Sequence, residues 1–414
     1  MMTTTVSTLA IDGGTKVRTV PFSTGRRYDD AERVLVNEAL ESQDLFYWSG
    51  TMTKAFCREA SDHFGARFCT MTSSGTAAIH TAVASLNIEP GYEVITSPVT
   101  DYGTLIGLLY QNLIPVFADV DAHTYNITAA SIRACITPRT KAIIVVHLAG
   151  NPCEMDDIMA IADEHSIPVV EDCAQSYDAV YCGRKVGTIG AMGCFSLNAF
   201  KHIGTGDGGF VLTNDEAMYY RNQNYADKCY DRHARGVRMT ALAPCYRISE
   251  LQSAAGRGQL TKLDGIITRR RRLGTLLTER IRDIDGIHTH RVQDHALSSY
   301  WFYMLRIDTD SFAVGRDRFS AALTAEGVPA GAGYIARPIY CEPVFREKSF
   351  FPGVWPAEVI AGKRYSYDAG LCPIAEEVLR TAIRLPIHES FSENDIEDMV
   401  KAIRKVGQAY RASR

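Results

Sequence analysis

The sequence predicts an α/β protein: a mostly parallel sheet with helices on both faces, followed by a smaller α+β C-terminal domain. Three observations predict this fold. Short runs rich in valine and isoleucine end in turn residues, as strands buried on both faces do. Helical stretches separate these runs, and strand–helix alternation favours a parallel sheet. After about residue 266 the alternation gives way to isolated strands and helices.

The elements follow in chain order. The six strands predicted for the sheet lie at 92–98, 114–120, 141–150, 167–173, 191–197 and 208–215. The predicted helices lie at 29–42, 76–87, 154–166, 249–284, 316–327 and 393–410, with one further strand at 300–308. We therefore expect an N-terminal segment, 1–50, packed on the main body, a large α/β domain at 51–265 and a small α+β domain at 266–414.

Composition excludes several classes of function. The chain has 414 residues, with 44 Lys and Arg against 48 Asp and Glu. A net charge of −4 gives no electrostatic case for nucleic acid or an anionic membrane. No apolar run approaches the ~18 residues of a spanning helix, and the first residues lack the basic and apolar regions of a signal peptide. The eleven scattered cysteines, without a C-x-x-C pair, favour reduced thiols in the cytoplasm.

A phosphate site is predicted at "TSSGTAAIHTAV". Ser74, Gly75 and Thr76 precede a helical run. Serine is a natural N-cap, and glycine lets a ligand approach the backbone. The free N–H groups and the dipole of a helix N-terminus favour a phosphate. The competing interpretation is a capped helix without a ligand.

Two further candidates follow buried strands. In "VVEDCAQSYDA", Asp172 ends a strand and Gln175 lies three positions on; a carboxylate there would pair with a cationic ring nitrogen, or cap the next helix. In "CFSLNAFKHIGTGDGG", Lys201 lies between an aromatic run and a glycine-rich turn. Apolar surroundings make lysine a better nucleophile, whereas the alternative is a lysine on a solvated loop. The neighbouring His202 is typical of a packed or hydrogen-bonded ring.

Taken together, a phosphate cradle, a strand-end aspartate and a loop lysine meet the needs of pyridoxal phosphate. No metal is expected. A nicotinamide cofactor is disfavoured because no G-x-G-x-x-G opens the first helix after a strand.

The same stretches resemble the DegT/StrS-type family of sugar and aminocyclitol aminotransferases, fold-type I pyridoxal phosphate enzymes. The likeness runs from "SSGTAAIHTAV" through "GTIGAMGCFSLNAFKHIGTGDGGFVLTND" to "CPIAEEVLRTAIRLPIH". It implies that Lys201 is the Schiff-base lysine and that Ser196 bonds the cofactor phosphate, with Ser74, Gly75 and Thr76 on the phosphate-binding turn. It also implies that Asp172 pairs with the pyridine nitrogen and that Gln175 contacts the ring face or hydroxyl.

Two positions depart from the family pattern. Where members place an aromatic ring over the cofactor, this sequence has Asp101, with Tyr102 adjacent. Either Tyr102 substitutes or the ring is covered differently. Where members often carry an asparagine that reaches the neighbouring subunit's phosphate, this sequence has Cys245.

The resemblance implies amino transfer from Glu or Gln to a nucleotide-linked keto-sugar or a keto-cyclitol, in a cytoplasmic homodimer. Alternatives are a dehydratase, which Lys201 opposes because family dehydratases carry His there, and a non-catalytic regulatory homologue. Aromatic residues at 46–50 and 333–340 are candidates for acceptor contact, or for core packing. The basic run "TRRRR" at 268–272 would attract a diphosphate, or form a solvated helix face.

Overall fold

The computed structural model describes residues 8–232 and 239–412. The helices in these ranges are α1 Asp30–Glu41, α2 Met52–Phe64, α3 Gly75–Ser85, α4 Gly103–Tyr110, α5 Ala129–Cys135, α6 Met155–His165, α7 Glu216–Ala226, α8 Glu250–Leu260, α9 Leu263–Ile281, α10 Arg316–Ala325, α11 Pro343–Arg346, α12 Pro356–Ala361, α13 Pro373–Thr381 and α14 Glu393–Ala409. The strands are β1 Phe68–Thr72, β2 Glu93–Thr96, β3 Ile114–Phe117, β4 Thr140–Val146, β5 Val169–Asp172, β6 Val180–Tyr181, β7 Arg184–Lys185, β8 Met192–Ser196, β9 Gly209–Thr213, β10 Ile287–His288, β11 Ala296–Leu297, β12 Phe302–Ile307 and β13 Ala382–Pro386.

The main sheet has seven strands in the order β1-β9-β8-β5-β4-β2-β3. The pairs β3–β2, β2–β4, β4–β5 and β5–β8 are parallel, whereas β9 is antiparallel to both β8 and β1. Strands β2, β5, β8 and β9 are buried throughout, as expected of a sheet covered on both faces. The predicted α/β class with a mostly parallel sheet is confirmed.

Two of the differences from the sequence prediction concern the main sheet and the long helix. Strand β1 was not predicted because "FCTMT" carries no valine or isoleucine and lacks the signal of a buried strand. The continuous helix expected at 249–284 is two helices, α8 and α9. The Thr261 hydroxyl donates to the Gly258 carbonyl at 2.7 Å, offering the backbone an alternative to the next helical turn.

Two apolar cores accompany two sheets. The larger core lies around the main sheet. The smaller one joins α9, α10 and α14 to the sheet β10-β12-β13, with Tyr303, Phe319 and Ile403 fully buried in it. Leu9 packs into this smaller core, whereas α1 packs on α8, so the N-terminal segment contacts both units. The domain boundaries stay a prediction.

Two further findings concern membrane-spanning helices and the state of the cysteines. Within 8–232 and 239–412, no helix combines the length and the apolar character needed to cross a bilayer. All eleven cysteines lie in these ranges and are free thiols.

Candidate active site

A cavity of about 310 Å³ lies at the carboxyl ends of β5 and β8. In open α/β sheets, ligands bind at this edge. All the residues predicted from the sequence line the cavity, namely Ser74, Gly75, Thr76, Asp172, Gln175, Ser196 and Lys201.

One wall of the cavity is the N-terminus of α3. Ser74 is the N-cap, and its hydroxyl accepts the Ala77 N–H at 3.0 Å. The first N–H groups of a helix have no intrahelical acceptor, so those of Gly75 and Thr76 are available to an anion. A Cβ at Gly75 would lie 2.6 Å from the Cβ of Ser196, so glycine is required for this close approach. The Ser196 side chain therefore lies against the helix N-terminus.

Asp172, the last residue of β5, lies deeper in the cavity and is 4% exposed. Its Oδ2 accepts the Thr104 hydroxyl at 2.7 Å, and its Oδ1 accepts the Ala174 N–H at 3.1 Å. Burial raises the pKa of Asp172, although both hydrogen bonds oppose this. Asp172 forms no ion pair with any described residue, so a cationic ligand group here would stabilise its charged form.

Lys201 lies in the turn after β8, where its N–H donates to the Asn198 carbonyl at 2.9 Å. Its Nζ lies 3.8 Å from the centroid of the Trp301 ring. Burial lowers the pKa of Lys201 to about 8, although the negative charges of Asp172 and Asp101 raise it. More of this amine is unprotonated near neutral pH than for an exposed lysine, which makes it a better nucleophile.

Groups from distant parts of the chain hold the lysine turn. Arg27 Nη2 donates to the Lys201 carbonyl at 2.8 Å, and the Trp301 indole N–H donates to the Phe200 carbonyl at 2.8 Å. His202 is buried, and its Nε2 lies 3.1 Å from the Ser299 carbonyl oxygen. This is the packed, hydrogen-bonded ring that the sequence favoured. The turn is fixed on both sides of the lysine.

Gln175 links the cavity wall to the C-terminal part of the chain. Its Oε1 accepts the Ala149 N–H at 2.8 Å, and its Nε2 donates to the Tyr334 hydroxyl at 3.1 Å. Tyr334 and Trp301 line the cavity, yet Tyr334 was only one of several candidates for acceptor contact, and Trp301 was not identified. The sequence around these aromatic residues does not distinguish a ring that lines a cavity from a ring packed in the core. Tyr340, from the same run as Tyr334, is fully buried.

Asp101 and Tyr102, at the position where family members place an aromatic ring over the cofactor, have different surroundings. Asp101 lines the cavity and accepts the Gly103 N–H at 2.8 Å. Tyr102 is 44% exposed and is not among the described residues that line the cavity. Its pKa is raised by partial burial and by the charge of Glu342, so its hydroxyl lies near that carboxylate. The aromatic residues that line the cavity are Phe200, from the lysine turn, and Trp301 and Tyr334, from the C-terminal part of the chain.

Cys245 and the predicted acceptor segment at 46–50 lie elsewhere. Cys245 is exposed, and its Sγ accepts the Arg247 Nε–H at 3.1 Å. Tyr47 and Trp48 line a second cavity of about 300 Å³, together with Arg247. Within this chain, neither segment lines the cavity that holds Lys201.

A buried pair lies beneath Asp172. His147 Nε2 lies 3.1 Å from Glu171 Oε2, and both side chains are fully buried. The Cys173 thiol is close enough to complete a set of three metal-ligand atoms. His147 Nδ1 already accepts the Cys153 N–H at 3.0 Å, and burial raises the pKa of the Cys173 thiol. The protein itself occupies both imidazole nitrogens, so these groups form a structural network.

Replacing Lys201 with methionine should stabilise the cofactor-free protein at neutral pH. The folded pKa of about 8 lies below the ordinary 10.5, a difference equivalent to about 3 kcal/mol against folding. The contact with Trp301 offsets about 1 kcal/mol of this. The penalty is complete below pH 8 and fades as pH rises towards 10.5, because the unfolded chain binds the proton more tightly.

Urea unfolding of both cofactor-free proteins at about pH 7 and at about pH 10 measures this effect. We expect Lys201→Met to gain about 1–3 kcal/mol at the lower pH and less at the higher one. The exposed Lys401, replaced by methionine, is the control. Equal stabilities at neutral pH would show that the Lys201 ammonium group is not desolvated.

An amine of lowered pKa and a buried carboxylate share a cavity whose wall is a helix N-terminus. The glycine contact at Ser196 keeps that terminus open to a phosphate, and the unpaired Asp172 suits a protonated pyridine. These residues fit pyridoxal phosphate, whose aldehyde reacts with amines and whose ring withdraws electrons. Fold and cavity together define a pyridoxal phosphate enzyme of fold type I.

Within that class, the chain belongs to the DegT/DnrJ/EryC1/StrS aminotransferase family, whose model matches residues 27–404. It is 31% identical to L-glutamine:2-deoxy-scyllo-inosose aminotransferase of Streptomyces kanamyceticus over 97% of each chain. It is 30% identical to GDP-perosamine synthase of Caulobacter vibrioides over 92% of this chain and 96% of that one. The structure of an aminotransferase from Psychrobacter cryohalolentis superposes with a TM-score of 0.85 at 30% identity, covering 94% of this chain and 100% of that chain. The chain is a pyridoxal phosphate-dependent aminotransferase.

Proposed function

We propose that this aminotransferase moves an amino group from L-glutamine or L-glutamate to a ketone carbon of a nucleotide-linked keto-sugar or of a keto-cyclitol. Each acceptor class has the support of one relative. The name of the Streptomyces kanamyceticus enzyme states a keto-cyclitol, and the name of the Caulobacter vibrioides enzyme states a GDP-linked amino sugar. The first name also states glutamine as donor. Such a reaction belongs to the biosynthesis of amino sugars, aminocyclitol antibiotics or cell-surface glycans.

The proposal rests most on one observation: Lys201, with its pKa lowered by burial, lines the same cavity as the unpaired carboxylate of Asp172. Ser74, Gly75, Thr76 and Ser196 would hold the cofactor phosphate. Asp172 would hold the pyridine nitrogen in its protonated form. Gln175, fixed by its bonds to Ala149 and Tyr334, would contact the ring.

Lys201 also has a role in moving protons. Its Nζ takes the proton from the α-carbon of the amino donor, and the lowered pKa of Lys201 keeps part of the amine in the free form that this requires. A positioned proton transfer of this kind contributes roughly 10²–10⁴-fold to the rate. The Trp301 ring lies against the amine and limits the access of water to it. Because donor and acceptor use the cavity in turn, the kinetics should be ping-pong.

The alternatives receive less support. A sugar dehydratase of this family would carry histidine where this chain has Lys201. A non-catalytic homologue would have no need of a lysine with a lowered pKa beside a buried carboxylate.

We further propose that the enzyme is a homodimer, on the basis of the family resemblance, and that it is cytoplasmic, on the basis of its eleven free thiols.

A two-way screen of donors and acceptors tests the proposal. Glutamine, glutamate and alanine are each combined with nucleotide-linked keto-sugars and with keto-cyclitols, and the aminated product is detected by mass spectrometry. We expect one acceptor class to be aminated with glutamine or glutamate, and Lys201→Ala to be inactive with every pair. Amination by Lys201→Ala at the wild-type rate would refute the assignment. Light scattering of the purified enzyme measures the oligomeric state.

A further inference from the structure

Four consecutive arginines on α9 have different surroundings. Arg270 is buried and pairs with Glu389, with Nε and Oε2 2.7 Å apart. Arg271 and Arg272 also have oxygen acceptors within the protein. Arg269 makes no hydrogen bond or ion pair with any residue in 8–232 or 239–412. Arg269 is exposed, so its guanidinium group is available to a ligand.

Arg269 lines a cavity of about 280 Å³ between α9, the segment before α1 and the turn after β13. Three more cations line it: Arg26, Arg27 and Lys262. The one acid among the described lining residues is Glu389, which Arg270 already neutralises. The lining thus carries an excess of positive charge.

This excess belongs to the arginines. Lys262 Nζ lies 2.9 Å from Asp29 Oδ2 and 2.7 Å from Glu32 Oε1, so its charge is balanced. Arg26 and Arg27, like Arg269, form no ion pair within the described ranges. Arg26 uses its Nε–H for the Tyr28 carbonyl at 3.0 Å and keeps its outer N–H groups available. Asp29 and Glu32 together more than balance Lys262, and Asp29 also interacts with the charge of Arg26. The three guanidinium groups still leave the cavity with a net positive charge, which attracts an anion.

Arg27 links this cavity to the lysine turn. Its Nη2 donates to the Lys201 carbonyl at 2.8 Å, whereas its Nη1 is buried and has no hydrogen-bond acceptor in the described structure. A buried charged donor without an acceptor is costly. This nitrogen lies against Gly204 of the lysine turn and has no surface open to the cavity, so it fixes the position of Arg27 beside the turn.

We propose that this cavity binds a phosphate group, held by Arg26, Arg27 and Arg269. Guanidinium groups match phosphate oxygens in charge and in geometry. Because Arg27 also holds the Lys201 carbonyl, an occupied site restrains the lysine turn. The cavity lies on the carbonyl side of that turn and is distinct from the cavity that holds the Lys201 amine. The site is independent of which acceptor the enzyme uses.

Calorimetric titration of the holoenzyme with inorganic phosphate, at constant ionic strength, tests the site. In the holoenzyme the cofactor occupies the phosphate cradle at α3. We expect saturable binding of one phosphate per chain, weakened by about tenfold or more in Arg269→Gln and in Arg26→Gln. Arg33→Gln removes the same charge from an exposed arginine on α1 and should bind like the wild type. Absence of saturation, or equal weakening in all three variants, would overturn the proposal.

Two further measurements extend the test. Amide hydrogen exchange in residues 198–206 should slow when phosphate saturates the wild type but not when it is added to Arg269→Gln. Unchanged exchange in the wild type would overturn the link to Lys201.

A parallel titration with uridine diphosphate distinguishes the two sources of the phosphate group, a nucleotide and free phosphate. Binding at least about tenfold tighter than that of phosphate, and dependent on Arg269, supports the site and identifies a nucleotide as its occupant. Equal or weaker binding supports the site and identifies free phosphate.

Discussion

Lys201→Ala is expected to lower the rate of amino transfer by at least about 10²–10⁴-fold, the contribution of one positioned proton transfer. The loss should exceed that range if the amine also bonds covalently to the cofactor, because two functions are then removed together. Lys201→Arg should not restore activity. A guanidinium keeps the charge and the length of the side chain, but it does not deprotonate in a protein.

Two measurements separate this outcome from loss of folding. Borohydride reduction of the holoenzyme, followed by peptide mass analysis, should find the cofactor attached to the peptide that contains Lys201. Thermal unfolding shows whether the variant keeps its structure. Lys401→Ala, on the exposed face of α14, should retain full activity. A cofactor bound covalently to another lysine would refute the assignment of Lys201.

Six of the seven strands of the main sheet could be predicted because each of them carries its own local signal, which β1 lacks. The buried runs ending at Asp172 and Ser196 were sufficient to place both residues at one edge of the sheet. The carboxyl ends of parallel strands lie together, so residues far apart in sequence meet there. This explains why the predicted site residues line one cavity, although their roles stay predictions.

Contacts that form only through tertiary packing have no local signal in the sequence. Trp301 reaches the Lys201 amine from the position just before β12, and Arg27 reaches the Lys201 carbonyl from the N-terminal segment. Neither residue lies in a periodic pattern that points to the site. Sequence separations of about 100 and about 170 residues leave no local rule by which to pair them.

Glu171 and Asp172 are neighbours on β5, and only Asp172 was identified from the sequence. Successive side chains of a strand point to opposite faces, so the two carboxylates meet different surroundings. Asp172 faces the cavity. Glu171 faces the segment between β7 and β8, where Oε2 accepts the Gly187 N–H and Oε1 accepts the Ile189 N–H, both at 2.7 Å. Acidic residues are seldom fully buried, and no local pattern around Glu171 indicates these partners.

Glu171→Gln is expected to lower the free energy of unfolding by about 3–5 kcal/mol, because several buried donors then lose a charged acceptor and each such hydrogen bond contributes about 1.5–3 kcal/mol. The carboxylate accepts hydrogen bonds at both oxygens, and its Oε2 also lies 3.1 Å from His147 Nε2. The glutamine NH2 group in place of one oxygen would face donors. His147 cannot adapt by changing tautomer, because its Nδ1 already accepts the Cys153 N–H.

The same network predicts how this loss depends on pH. Burial alone would raise the pKa of Glu171, but His147 and the backbone N–H groups outweigh burial and hold the pKa below the ordinary 4.5. The charged form therefore contributes stability above about pH 4.5, and this contribution is lost as pH falls through the folded pKa. Urea unfolding of wild type and Glu171→Gln from neutral to acid pH should show a difference that shrinks on acidification. Glu164→Gln, at an exposed carboxylate paired with Arg133, should cost little at any pH. If the two variants lose equal stability at neutral pH, Glu171 is not the centre of a buried network.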